Sequence, residues 1–325
     1  MPGQDHSTAV RKCVSCSRCF DPIIQLCPDC FIELVSLELI PHVINSRYRL
    51  DFVPGSGAFG TAFIAKDLKD GRDVLVKVVR AGVIADPQVQ DRFFRETRLA
   101  SQLSHPQIAA LYDYGMLPDA SMYLVLELVR GNSLRHEMRR VGKFTPAEVV
   151  AILSETAFAL EIAHRAGLVH RDLRPECIAL IPSTDAGQPQ IKLFDFGLAV
   201  ITGQNSSLDR PKDVKDSAGR SSSQPAYSSP GSLHGEEADP QSDIYSLGVI
   251  AYEMLTGSMP FKSPATSELR ARQLRERPQP LRPGCPEIHP LLEAAIMKAL
   301  EKESWQRQQT AAEFRRDLLR ATKIG

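Results

Sequence analysis

The chain of 325 residues has no excess of charge of either sign, no long apolar run and no apolar segment at its start. Its 39 Lys and Arg residues balance 39 Asp and Glu residues, so the net charge does not indicate a nucleic-acid-binding or membrane-surface protein. No apolar run approaches the roughly 18 residues of a membrane-spanning helix. Residues 1–12 lack the apolar core of a signal peptide. We therefore expect a cytoplasmic protein without a membrane span.

Cysteine is scarce after residue 30, where only Cys177 and Cys285 occur, and five of the seven cysteines lie within the first 30 residues. Cys13 and Cys16 form one C-x-x-C unit, and Cys27 and Cys30 form a second one. Without a secretion signal, such pairs indicate metal ligands before disulfides, and four thiolates can surround Zn²⁺. A set with Cys19 in place of Cys13 is the alternative. The other interpretations are a disordered tail and a redox-active thiol cluster.

The pattern of apolar residues divides the rest of the chain into a β-rich part and a helical part. Residues 31–47 are predicted to be a short amphipathic connector, broken by Pro41. Strands are predicted at residues 48–53, 60–67, 72–80, 108–115 and 122–129, a hairpin at 177–181 and 190–196, and helices at 91–103, 146–167 and 243–257. Residues 203–224 are predicted to be a mobile surface loop because they are poor in apolar residues. The result is an α+β architecture with a small β-rich lobe and a large helical lobe.

Residues 55–60 read Gly-Ser-Gly-Ala-Phe-Gly and lie between two predicted strands. Glycines in such a turn let backbone N–H groups close over a polyphosphate, although a plain hairpin turn explains the same pattern. The strand-to-helix context of a dinucleotide-binding fold is missing. Lys77 ends an apolar strand and needs a counter-charge, for which Glu96 on the following helix is the candidate.

Further motifs follow in an order that resembles the bacterial Hanks-type serine/threonine protein kinases, and the resemblance covers residues 48–325. The matching positions are residues 55–60, Lys77, Glu96, His105-Pro106, His170-Arg171-Asp172, Asp195-Phe196-Gly197, Pro225-Ala226-Tyr227 and residues 243–248. The resemblance implies a bilobal kinase fold with an N-lobe at 48–130 and a C-lobe at 131–325, which uses ATP and Mg²⁺ and acts on a protein substrate. Residues 1–47 resemble the zinc-ribbon modules found ahead of some bacterial kinases, which implies bound Zn²⁺.

The resemblance implies a role for each motif residue. Lys77, oriented by Glu96, would hold the α- and β-phosphates, and Asp172 would be the catalytic base. Asp195 would bind Mg²⁺, and Arg174 would face the γ-phosphate. The nucleotide-binding positions would be Pro54, Gly55, Ser56, Gly57, Ala58, Phe59, Gly60, Ala62, Leu75, Lys77, Glu127, Val129 and Ala179.

Other positions gain a structural or regulatory role from the same resemblance. Glu127 and Val129, which follow the gatekeeper Leu126, would offer backbone groups to adenine. Asp243 would anchor the catalytic loop, and Arg171 would pair with a phosphorylated activation loop. The serines available for that phosphorylation are Ser206, Ser207, Ser217, Ser221, Ser222 and Ser223.

The catalytic segment departs from the family pattern. Cys177 replaces the asparagine that binds the second Mg²⁺, and a soft thiol is a poor ligand for that hard ion. Arg174 replaces a lysine and keeps its charge with a different shape. Gln224 replaces a threonine near the base. Gly231 replaces a glutamate that pairs with a late arginine, here Arg307, so we expect Arg307 to reach solvent or to be bonded elsewhere.

The adenine pocket also departs from the pattern, and the two hypotheses for function follow from these departures together. In the roof, Ala62 replaces the family's valine and Leu75 replaces its alanine, so the volume of the roof is roughly conserved. Ala179 replaces a leucine in the floor and loses bulk. One hypothesis is a weak or metal-altered kinase that prefers Mn²⁺, and the other is a pseudokinase that binds nucleotide or acts as a scaffold for a signalling partner. The isolated Cys285 is expected to be structural.

Overall fold

The computed structural model describes residues 9–57, 60–84, 86–182, 190–196, 225–263 and 265–321. The loop predicted at 203–224, with its serines and Gln224, lies outside the described residues, as do Ala58 and Phe59. None of the helices in the described ranges is long and apolar enough to cross a membrane.

The secondary structure changes from strands to helices along the chain. The strands are β1 (Ala9–Lys12), β2 (Cys19–Phe20), β3 (Val35–Pro41), β4 (Val43–Ile44), β5 (Tyr48–Ser56), β6 (Gly60–Asp67), β7 (Asp73–Val79), β8 (Leu111–Met116), β9 (Met122–Glu127), β10 (Asn132–Ser133), β11 (Ile178–Ile181) and β12 (Gln190–Leu193). The α-helices are α1 (Pro87–Gln102), α2 (Leu134–Val141), α3 (Pro146–Arg165), α4 (Pro230–His234), α5 (Pro240–Thr256), α6 (Thr266–Arg275), α7 (Pro290–Ala299) and α8 (Ala311–Arg320). Short 3₁₀ turns lie at Ala81–Ile84, Pro175–Cys177, Pro225–Tyr227 and Ser304–Gln306.

The described residues form two compact units. The first unit contains those of 9–91 and 110–128, and the second contains those of 92–109, 129–196 and 225–321. Helix α1 therefore changes unit after Asp91. The cysteine-rich segment belongs to the first unit together with strands β5–β9.

A six-stranded antiparallel sheet, ordered β4-β5-β6-β7-β9-β8, dominates the first unit. Side chains alternate between its two faces, as the period of a β-strand requires. One face is a core, in which Phe63, Ala65, Val74, Val76 and Val78 are almost fully buried. The opposite face of β6 and β7 is only partly covered and carries the predicted nucleotide-binding side chains.

The prediction of a connector at residues 31–47 is wrong. Strand β3 pairs with β1 in a small sheet ordered β2-β1-β3, and β4 pairs with β5. Val10, Cys19, Leu37 and Ile40 pack in the same apolar core as the large sheet. Leu37 and Ile40 of the predicted connector thus pack against the core of the large sheet.

The second unit is mainly helical, and α3 and α5 form its centre. A capping box of Thr145 and Glu148 begins α3, and Asp239 caps α5. Helix α5 ends at Gly257, whose φ of 69° suits a residue without a side chain. Residues 242–255 of α5 are almost all buried, since neighbouring helices cover every side of it. Cys285 lies in this core, where its thiol contacts the Leu255 carbonyl oxygen at 3.7 Å.

Candidate functional site

The register of the large sheet brings three predicted nucleotide-binding positions into one row. Gly55 pairs with Ala62 across β5 and β6, and Ala62 pairs with Lys77 across β6 and β7. Two residues before Lys77, on the same face, Leu75 pairs with Leu126. The predicted roof of the adenine pocket and the predicted phosphate-binding lysine therefore share one face of the first unit.

The glycine-rich turn is held by main-chain contacts. The Gly57 N–H donates to the Gly60 oxygen at 2.8 Å, and the Arg80 guanidinium donates to the Gly57 oxygen at 2.5 Å. A Cβ on Gly60 would overlap the Val78 carbonyl group, so this close approach of β6 to β7 requires glycine. Pro54 and Ser56 lie in β5 beside the turn.

The two predicted adenine contacts fall on either side of the division between the units. Glu127 ends β9, and its N–H donates to the Ala110 oxygen at 2.8 Å while its carboxylate accepts from the Ala110 N–H at 3.2 Å. Its N–H is thereby used within the first unit. Val129 lies in the second unit.

The second unit brings the catalytic-loop residues together. The Arg174 Nε lies 3.5 Å from Asp172 Oδ2, and both side chains are one-third exposed. The charge of Asp172 raises the pKa of Arg174 against the opposing effect of burial. The Cys177 thiol donates to the Asp172 carbonyl oxygen at 3.6 Å. The Cys177 oxygen accepts from the Phe194 N–H at 3.1 Å, next to Asp195 in the chain.

Asp243 holds the catalytic loop from below. Its carboxylate accepts from the backbone N–H groups of His170 and Arg171 at 2.8 and 2.9 Å, and it contacts His164 Nε2 at 2.8 Å. Burial raises the pKa of Asp243, but the bonds from His164 and the backbone outweigh it and leave the pKa below its usual range. This is the anchoring arrangement expected for Asp243. His170 also reaches the Phe194 oxygen at 3.1 Å, so the loop is tied to the segment that leads to Asp195.

Glu96 and Arg171 form an ion pair in the second unit, which the sequence did not predict. The Arg171 guanidinium donates to the Glu96 carboxylate, and the exposed fractions of the two side chains are 14% and 7%. Arg171 has a φ of 67°, in the left-handed region, as does Asp195 at 73°. Such strained backbones persist where the surroundings hold them, and they occur often at functional sites.

A buried cluster around Tyr227 was also missed. The Tyr227 hydroxyl bonds to Glu253 of α5 and to Arg135 of α2. Arg135 binds Glu253 at 2.8 Å and Glu176 at 3.0 Å. The cluster fixes the Pro225–Tyr227 turn against both helices. Glu253, an acidic residue within the apolar helix predicted at 243–257, was the available sequence signal.

Arg307 forms hydrogen bonds with groups other than residue 231, which is one of the two outcomes expected from the sequence. It is 3% exposed, and it donates to the carbonyl oxygens of Glu301, Gln241 and Lys302 at 2.7–3.1 Å. Gly231 and Glu236 line the same cavity of about 140 Å³. The Glu236 carboxylate lies where a Cβ on residue 231 would be.

The four cysteines Cys13, Cys16, Cys27 and Cys30 form one cluster, in which all sulfur atoms lie within 4.8 Å of one another. This is the set predicted first. Cys19 is buried in the core of the large sheet instead, where burial raises the pKa of its thiol to about 12. Because the Cys19 side chain packs in that core and not in the cluster, the alternative set with Cys19 is not favoured.

The two C-x-x-C units have the same local structure. In the first, the Ser17 N–H donates to the Cys13 oxygen and the Cys13 N–H to the Arg18 oxygen, both at 2.9 Å. In the second, the Phe31 N–H donates to the Cys27 oxygen at 2.9 Å and the Cys27 N–H to the Ile32 oxygen at 2.8 Å. Ser17 and Phe31 have φ values of 60° and 55°. We call these units the first knuckle (residues 13–18) and the second knuckle (residues 27–32).

The cluster is suited to a soft cation. The backbone N–H groups of Cys16 and Ser15 point at the Cys13 sulfur and lower its pKa to about 7. The neighbouring thiol of Cys16 is the main cause that raises the pKa of Cys30, to about 12. A cation at the centre would favour the thiolate form of Cys30, and a tetrahedral set of thiolates is what Zn²⁺ binds.

Comparison with known proteins identifies the family. A family model described as "Protein kinase domain" matches residues 48–321. The chain therefore belongs to the protein kinase family and has the α+β kinase fold, with a β-sheet N-lobe and a helical C-lobe.

Curated relatives and solved structures agree with this assignment. Serine/threonine-protein kinase PknB of Mycobacterium leprae is 36% identical over 86% of this chain and 43% of its own length, and kinase pkn3 of Myxococcus xanthus is 34% identical over 86% and 51%. The chain thus spans about half the length, or less, of these relatives. The crystal structure of the Mycobacterium tuberculosis PknI kinase domain is 26% identical, with a TM-score of 0.65 over 86% of this chain and 98% of that one.

Proposed function

We propose that the chain transfers the γ-phosphate of ATP to serine or threonine side chains of a protein substrate, with Asp172 as the base. The observation that carries this proposal is the Asp172–Arg174 ion pair in a loop that Asp243 anchors. A carboxylate beside a retained cation can accept the hydroxyl proton while the cation faces the transferred phosphoryl group. Asp195 would bind Mg²⁺ near the phosphates, and Lys77 would hold them.

A pseudokinase that binds nucleotide or acts as a scaffold for a signalling partner is the second candidate. The observation that favours it is Cys177, which is 2% exposed and points its sulfur at the Asp172 carbonyl oxygen. No hard oxygen ligand stands at this position, so the second Mg²⁺ would be weakly held. We infer that transfer is slow in Mg²⁺ and faster in Mn²⁺, which is the softer ion.

Autophosphorylation with radiolabelled ATP, measured together with a nucleotide thermal shift, tests the two candidates. We expect incorporation of label that Asp172→Asn abolishes while the thermal shift is retained. A thermal shift without incorporation in either Mg²⁺ or Mn²⁺ would favour the pseudokinase.

We also propose that the cysteine cluster binds one Zn²⁺ per chain and that the metal supplies folding energy to the two knuckles. The convergence of four sulfur atoms and the matching hydrogen bonds of the knuckles support this.

A further inference from the structure

Strand β5 leads into the glycine-rich turn, and several separate segments cover the edge of β5 that faces away from β6. Strand β4 pairs only with Tyr48 and Arg49 of β5. Further along, the Leu50 N–H donates to the His42 oxygen and the Val53 N–H donates to the Ser17 oxygen, both at 2.9 Å. Buried backbone donors need such partners, and an uncovered edge strand is a liability.

Val53 depends on the first knuckle for its main-chain partner. The β5–β6 register shifts between Phe52 and Gly55, so Val53 and Pro54 have no directly paired residue in β6. Val53 is only 3% exposed, and Pro54 has no N–H. On the same edge, Phe52 forms a bridge with Arg18. The knuckle thus supports β5 two residues before Gly55.

The direction of the Ser17 carbonyl is set by the knuckle itself. Ser17 lies between Cys16 and Arg18, and its own N–H closes the loop onto Cys13. Its φ of 60° is in the left-handed region. Asp29 of the second knuckle pairs with the Arg18 guanidinium, which ties the two knuckles together.

We propose that the first knuckle positions the glycine-rich turn, so that metal binding by the four cysteines and nucleotide binding strengthen each other. The path is short and lies in one unit: Ser17 supports Val53, and Gly55 pairs with Ala62, which pairs with Lys77. The coupling is reciprocal. If bound zinc favours the arrangement of β5 that binds nucleotide, bound nucleotide must in turn favour zinc binding. This inference rests on the proposed nucleotide and zinc binding.

Matched variants of the two knuckles test the proposal. Ser17→Val and Phe31→Val each place a β-branched residue at a positive φ, which strains the backbone to a similar degree. Only the first variant alters a residue bonded to β5. With zinc content equal in both, we expect Ser17→Val to weaken binding of a non-hydrolysable ATP analogue by about fivefold, the lower end of typical couplings, and Phe31→Val to leave it unchanged. Hydrogen exchange at Val53 should be faster in Ser17→Val alone.

The outcomes separate this proposal from the proposed functions. If both variants retain zinc, bind the analogue equally and exchange Val53 equally, the positioning role is overturned. If the unaltered protein holds no zinc, the zinc assignment fails, and the exchange rate at Val53 still decides the role of Ser17. If it binds no nucleotide, the kinase assignment fails, and the same exchange comparison decides. Removal of zinc from the unaltered protein should weaken analogue binding to a similar extent, and unchanged affinity would contradict the coupling.

Discussion

A thiol at position 177 changes what the catalytic loop can offer to a divalent cation. Cys177 is the last residue of a 3₁₀ turn that begins at Pro175, and its carbonyl oxygen accepts from the N–H of Phe194, next to Asp195. The ligand atom that this side chain offers is a soft sulfur, whereas an asparagine amide would offer a hard oxygen. A substitution at this position can change the ligand atom while the main-chain carbonyl keeps its hydrogen bond from Phe194.

We predict that Cys177→Asn increases phosphate transfer at least tenfold in Mg²⁺ and reduces the preference for Mn²⁺. A metal ion that bridges the phosphates stabilises the charge that develops in the transition state by several kcal/mol. About 3 kcal/mol of this stabilisation corresponds to roughly a hundredfold in rate. Steady-state rates in both metals measure the effect. Cys177→Ala, which removes the sulfur and adds no ligand, is the control for packing changes, and Asp172→Asn is the control for contaminating kinase. If Cys177→Asn does not transfer phosphate faster although it still binds nucleotide, Gln224 or the adenine pocket limits the rate instead of the metal.

The space beside Gly231 holds the carboxylate of Glu236, which is the far end of an exposed side chain. Burial lowers the pKa of Arg307, and Glu236 is one of several charges that act in the opposite direction. The lost ion pair alone would predict that Gly231→Glu raises the melting temperature. The single substitution would instead crowd two carboxylates together.

We predict that the double variant Gly231→Glu with Glu236→Ala melts higher than Glu236→Ala alone. The new carboxylate would enter the cavity beside Arg307, and a hydrogen bond to a charged group contributes about 2 kcal/mol. Differential scanning calorimetry should show a rise of about 4–8 °C, since about 1 kcal/mol shifts a domain of this size by about 2–4 °C. Equal melting temperatures would mean that the three backbone carbonyls already satisfy Arg307.

At the scale of elements, apolar periodicity predicted the long helices and the strands of the large sheet well. Helices α1, α3 and α5 and strands β5–β9 lie within a few residues of their predicted positions. Strands β1–β4 were not predicted, because β1, β2 and β4 are only two to four residues long and the apolar residues of β3 were assigned to a connector. Their burial comes from packing against a partner sheet. The contacts of Asp243 with His164 and of Arg135 with Glu253 join residues 79 and 118 positions apart, which no local pattern encodes.

For the two knuckles, the sequence left two sets of metal ligands open, one with Cys13 and one with Cys19. We predict that Cys13→Ser reduces bound zinc well below one equivalent, whereas Cys19→Ser retains it. The reason is that the Cys13 sulfur lies in the cluster and the Cys19 side chain lies in the apolar core. Elemental analysis of both variants, purified under reducing conditions without chelators, measures the metal. Retention of zinc by Cys13→Ser together with its loss in Cys19→Ser would favour the other set.

At the scale of the whole chain, one apolar core spans the boundary expected at residue 47, while Cys13, Cys27 and Leu34 form a small core of their own before it. Val10 of β1 is fully buried among Tyr48, Leu50 and Phe63, all of which are fully buried side chains of the large sheet. The cysteine-rich segment and the strands that follow it therefore bury apolar surface together. Their stabilities should rise and fall together as well.

We predict that Val10→Ala destabilises the sheet that carries Lys77, whereas Val14→Ala in the first knuckle does not. Val10 is 0% exposed and Val14 is 61% exposed, so the two substitutions remove the same atoms from opposite environments. Truncation in a core costs about 2 kcal/mol, and an exposed site changes stability by about 0.5 kcal/mol or less. Urea unfolding of both zinc-loaded variants, followed by hydrogen exchange in residues 60–79, measures the effect on the sheet itself. If residues 60–79 exchange equally in the two variants, the segment before residue 48 is an independent appendage and contributes nothing to the stability of the nucleotide-binding sheet.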